Sequence, residues 1–164
     1  MIIKNNIMLN EENTLEIIQN ETLKLGYNAQ FIEEFNELPF KVLLVYPFSQ
    51  DDKPELKDWA LNLTVFPMGD DLDGSVFVQI YWEYNLKANE SNTSLISEKL
   101  IETNFKLPLG SLGISPETSN IYYRLVMPLA FETKVTAAFL ADVYDMVMYP
   151  MEAYYKEFAD YLNA

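Results

Sequence analysis

The side chains able to do chemistry in this chain are Asp, Glu, Lys, Tyr, Ser and a single arginine, because the sequence contains neither cysteine nor histidine. Disulfides, thiolate metal sites, a cysteine nucleophile and the Ser-His-Asp and Cys-His arrangements are excluded, and so are the usual zinc sets. The stretch most like a site is PMGDDLDGSV, residues 67–76, in which Asp70, Asp71 and Asp73 crowd between Gly69 and Gly74. With Gly74 at the sixth position of a calcium loop, Asp73 falls on the fifth and Asp71 on the third. The first then falls on Gly69 and the twelfth, which needs a bidentate carboxylate, on Ile80. A strand pattern follows where an exit helix should stand. The stretch therefore reads as a turn, with weak cation binding at the Asp70–Gly74 loop as the alternative; no cofactor or metal is expected.

Carboxylate catalysis needs no histidine, but it needs two carboxyls at a set separation with one raised by burial. Here Asp and Glu fall in turns and on outward helical faces, and no pair stands out. Arg124, between Tyr123 and Leu125, can clamp a carboxylate or stack on a ring, or form an ordinary cross-strand pair. YWEY, residues 81–84, reads as core, with Trp82 and Tyr84 inward and Glu83 outward. A non-enzymatic chain is the expectation.

The net charge of −14 repels phosphate backbones and anionic lipid. Nucleic acid, membrane and small-molecule partners are not expected. The opening MIIKNNIMLN lacks a continuous apolar stretch and a small-residue cleavage site, and runs such as VLLVYPF are too short to span a bilayer. A cytoplasmic location is expected.

At 164 residues the chain fits one domain, 1–164, able to bury about 70% of its unfolded surface. NEENTLEIIQNETLKLGY reads as a helix with Leu15, Ile18, Thr22 and Leu25 inward and Gly26 as its stop. FIEEFNEL is a turn of helix or an edge strand. FKVLLVYPF, DWALNLTVF and SVFVQIYWEYNL read as three strands. Pairing the last two with Val65 opposite Val76 and Leu63 opposite Val78 buries every large side chain on one face. LISEKLIETNF is a second helix with Ile96, Leu100, Ile101 and Phe105 on its inner face. LPLGSLGI and NIYYRLVMPL flank the SPETS turn as a hairpin. A long helix follows, its core stripe running through Val135, Phe139, Val143, Met146, Val147, Tyr154 and Phe158, with a kink or break at Pro150. The fold class is α+β: helix, three-stranded antiparallel meander, helix, β-hairpin, long C-terminal helix.

This element order, with NFKLPLGSLGISPETSNIYYRLVMPL running into a tyrosine-rich helix containing YP, resembles the type III secretion chaperone-like family, in particular its YbjN-like branch of bacterial regulators. Its element order spans nearly the whole chain, and its motifs lie in the last sixty or so residues. One departure is the long PFSQDDKPELKD stretch before DWALNLTVF. The resemblance implies a sandwich of helices on a curved antiparallel sheet, a homodimer, and binding of a protein client; it transfers no catalytic residues.

The last helix carries more apolar surface than one face needs. Leu140, Tyr144, Met148, Tyr149 and Met151 lie off its stripe and, with Arg124, are the candidate partner-binding residues. The alternative places them in the core. Three functions compete: a chaperone-like or regulatory homodimer that binds a protein segment through apolar grooves and an exposed strand edge, an acidic immunity-type protein that neutralises a basic toxin, and, disfavoured by the missing residue types, a hydrolase or small-ligand binder.

Overall fold

A computed structural model describes residues 8–32, 41–47, 59–68 and 73–163. Helix α1 (Thr14–Lys24) begins where the Asn10 side chain accepts hydrogen bonds from the backbone N–H groups of Glu12 and Asn13, at 3.0 and 2.8 Å. It ends as expected, since Gly26 takes φ +83°, a left-handed conformation open to glycine. Leu15, Ile18 and Thr22 are buried, whereas Leu25 is half-buried.

The six strands are β1 (Asn28–Phe31), β2 (Val42–Tyr46), β3 (Leu61–Val65), β4 (Ser75–Lys87), β5 (Ser111–Ile114) and β6 (Asn120–Ala130). They form one antiparallel sheet in the order β1-β2-β3-β4-β6-β5. Two more helices, α2 (Thr93–Asn104) and α3 (Ala137–Asn163), complete an α+β fold. The chain groups into two compact units, residues 1–80 with 126–141 and residues 81–125 with 142–164.

In the first unit, α1 packs on β1, β2 and β3, and the core gathers Ile18, Leu43, Val45, Leu61, Leu63, Val78 and Ile80. Burying each such side chain contributes about 1.5–3 kcal/mol. The N–H of Phe66 donates to the Phe77 carbonyl at 3.0 Å, setting these two opposite each other. That pairing is offset by two residues from the expected register. An even offset leaves every side chain on its expected face, so the period-2 burial of β4 from Val76 to Tyr84 is intact.

In the second unit, β5 and β6 form the expected hairpin around SPETS, and Ser111 stands opposite Arg124. Its core is aromatic. Trp82, Tyr84 and Tyr123 are fully enclosed, with Trp82 stacked on Tyr123 at 5.7 Å and Tyr84 edge-on to Phe158 at 6.0 Å.

Four expectations need correction. The sheet opens with an extra edge strand, β1, so the meander has four strands rather than three; Phe31 of FIEEFNEL ends it, and residues 33–38 lie outside the described residues. On α2, Ile96 and Leu100 are buried but Ile101 and Phe105 face solvent, because five residues advance a helix by about 140° and nine by about 180°. Of the kink or break expected at Pro150, the break is absent: α3 is one helix through that residue. Its buried arc also takes in Leu140, Tyr144, Met148 and Met151, while Met146 lies outside. Counted at about 100° per residue, that arc is roughly 160° wide, more than one stripe.

Candidate docking surfaces

Catalysis needs a cluster of polar side chains. On β4, the Glu83 carboxylate accepts hydrogen bonds from the Tyr81 hydroxyl, the Thr118 hydroxyl at 3.1 Å and the Asn120 amide at 3.0 Å. Burial raises its pKa, but these donors outweigh burial and hold it below the usual value. Burial and the neighbouring carboxylate push the Tyr81 hydroxyl well up. Each group is thus driven away from neutrality, the opposite of what proton transfer at pH 7 requires. The cluster instead holds a turn: Thr118 and Asn120 flank Ser119, whose φ of 61° is unusual for a residue other than glycine.

A groove of about 600 Å³ in the first unit is lined in part by Glu11, Glu12, Glu16 and Lys41. Lys41 lies 3.6 Å from Glu16, and Glu11 accepts the N–H of Met68 at 2.7 Å. Both contacts tie backbone elements together. Among the described residues no group of three or more acidic side chains is placed to hold a metal ion. Residues 69–72 of the acidic loop lie outside the described residues, and with them most of the Asp70–Gly74 loop. No described helix is long and apolar enough to cross a membrane.

The apolar surface is more informative. Of the six partner-binding candidates, Leu140, Tyr144, Met148 and Met151 are enclosed within the chain itself, leaving Tyr149, 49% exposed, and Arg124, which is exposed. Arg124 is a strand position across from Ser111 on the edge strand. Two other surfaces emerge, both in the second unit. On α2 and the segment after it, Phe105 is 89% exposed, Ile101 60% and Leu109 44%. Ile101 and Phe105 are four residues apart and share a face. The charged residues of α2 and its end, Glu98, Lys99, Glu102 and Lys106, sum to zero; Lys99 pairs with Glu102 at 2.9 Å and also feels Glu157 of α3. On α3, Met146 and Tyr149 face solvent among carboxylates, with Met146 44% exposed.

Reasoning from sequence missed Ile101, Phe105 and Met146 as surface residues. The signal was present in the spacing, since Ile96 to Phe105 is half a turn out of phase. Arg124 and Tyr149 are the candidates it left on the surface.

Comparison with protein-family models and with curated proteins returns no match.

Proposed function

We propose that this chain is a non-enzymatic protein-binding module, chaperone-like or regulatory, that works as a homodimer in the cytoplasm and binds a segment of a protein client. The observation that carries the reading is Phe105. A phenylalanine left 89% exposed beside Ile101 and Leu109 is a large apolar knob of the kind that anchors interfaces once covered. The charges of α2 and its end sum to zero, so a second copy can approach with less repulsion than the chain's overall −14 would impose elsewhere. The resemblance to the secretion chaperones in element order supports the same reading.

Sedimentation over a dilution series tests it, with Phe105→Asp as the variant. The wild type should associate reversibly toward twice the 19.0 kDa of one chain, and Phe105→Asp should stay at one chain with an unchanged melting temperature. A wild type that remains a single chain at every concentration, or a variant that associates equally well, would reject the proposal.

A second reading, an acidic immunity-type protein that neutralises a basic toxin, is favoured by the charge and by the acidic residues of α3. Salt separates the two. Capture by charge should lose association rate steeply as the Debye length falls below about 10 Å, whereas self-association through the Phe105 patch should change little.

A further inference from the structure

The solvent face of α3 has a layout that its buried face does not explain. Met146, Tyr149 and Ala153 are exposed, and the last two lie three and seven residues along from Met146, so the three form one apolar stripe. Around it stand Asp142 and Asp160 at the two ends, Asp145 and Glu152 on one flank and Glu157 on the other, all exposed. Lys156, the only basic residue in the helix, is exposed on the same face between Ala153 and Asp160, and the five carboxylates outnumber it.

We propose that this face docks a basic amphipathic helix, a segment of another protein whose apolar stripe is bordered by lysine or arginine. The inference rests on the protein-binding reading and names the chemistry of the client. Three observations favour this occupant over others. A second copy would bring an identical ring of carboxylates against this one, and like charges across an interface are costly. Anionic surfaces are repelled for the same reason. The stripe itself is built for contact: methionine adapts to a partner's shape, and the Tyr149 ring stands edge-on to the buried Tyr154 at 6.0 Å, which supports it on one side. From Asp142 to Asp160 the face runs roughly 27 Å, which matches a partner helix of about five turns.

The geometry further separates the two surfaces by charge. The neutral α2 patch suits self-association, and the acidic α3 face suits a foreign cationic segment.

The test uses the full chain and a synthetic amphipathic helix of leucine and lysine. Two comparison peptides accompany it: the same leucines with glutamate in place of lysine, and the same lysines with serine in place of leucine. Only the leucine–lysine helix should bind, one per chain. Met146→Ser combined with Tyr149→Ser should weaken it at least about tenfold, as losing a central apolar anchor does. Asp142→Lys combined with Asp145→Lys should weaken it similarly while leaving the melting temperature in place. Phe105→Asp should bind it with wild-type affinity, which separates this site from the self-association patch. Equal binding of the leucine-free peptide, or wild-type affinity in the Met146/Tyr149 variant, would overturn the inference. Absence of binding in a chain that still self-associates would overturn it too, and would leave the homodimer reading standing.

Discussion

The Asn104 side chain holds both backbone groups of Leu112: its amide donates to the Leu112 carbonyl at 3.0 Å, and its oxygen accepts the Leu112 N–H at 2.7 Å. The bond from Ser115 N–H to the Asn120 carbonyl sets the alternation along the hairpin, so the polar groups of Leu112 point away from β6, toward the outer edge of the sheet. Asn104 thus stands where the next strand's amide would be. At the other edge Gln19 of α1 donates to the Ala29 carbonyl of β1 at 3.1 Å, again on an outward-pointing group. Both edges are blunted by a side-chain amide from a neighbouring helix, which counters strand addition. This narrows the expectation of an exposed strand edge, and it directs partners to side-chain surfaces.

Replacing Asn104 with alanine should lower stability by about 2 kcal/mol, since two hydrogen bonds of roughly 1 kcal/mol each are lost. Asn104→Asp keeps the acceptor and should cost less. Urea unfolding checks this: the midpoint should fall in the order wild type, Asp, Ala with the slope unchanged. Equal midpoints would contradict it.

Two glycines with similar backbones should respond differently to alanine. Gly110 has φ +68°, and a Cβ there would lie 2.3 Å from the Tyr123 hydroxyl and 2.4 Å from its ring. Tyr123 is enclosed and donates to the Leu109 carbonyl at 2.9 Å, so it cannot yield; burial also pushes its hydroxyl up to about 12. Gly26, at φ +83°, has nothing within 4 Å of that position. Gly26→Ala should cost about 1 kcal/mol from backbone strain alone, and Gly110→Ala at least about 2 kcal/mol more from overpacking. Thermal melts of the two variants decide the order.

The Glu83 carboxyl, lowered in the folded chain by its donors from Tyr81, Asn120 and Thr118 against the opposing effect of burial, makes stability depend on pH. As pH falls below the ordinary value of 4.5, the unfolded chain takes up the proton first, so stability present above that value is lost down through the lowered folded pKa. Glu83→Gln should flatten the loss. It should not abolish it, because the Lys24 bond to Glu21 and the Lys99 bond to Glu102 lower those carboxyls too. Urea midpoints from roughly pH 6 down to pH 3 read the difference between the two proteins. Parallel curves would rule out the Glu83 contribution.

Much of the fold was legible because period-2 alternation is hard to mistake. Val76, Val78, Ile80, Trp82 and Tyr84 could face only one way, and even a two-residue register offset kept them there. β1 was harder to see: in NAQF only Ala29 is buried, and so small a side chain gives no contrast with its neighbours. The stop at Gly26 was readable because a left-handed residue after a helix favours glycine. The surface was less legible. Ile101 and Phe105 look like core by type, and only their phase on the helix puts them outside. Leu140, Tyr144, Met148 and Met151 look like surplus until the burial of α3 is seen to span nearly half its circumference.

Hydrogen–deuterium exchange of the whole chain examines both faces in one measurement. Raising the protein concentration should slow exchange in residues 101–109 and leave 142–160 unchanged. Adding the leucine–lysine helix should slow 142–160 and leave 101–109 unchanged. Concentration-independent exchange at Phe105, or peptide protection falling on the α2 patch, would contradict the division of labour between a neutral surface for self and an acidic one for a client.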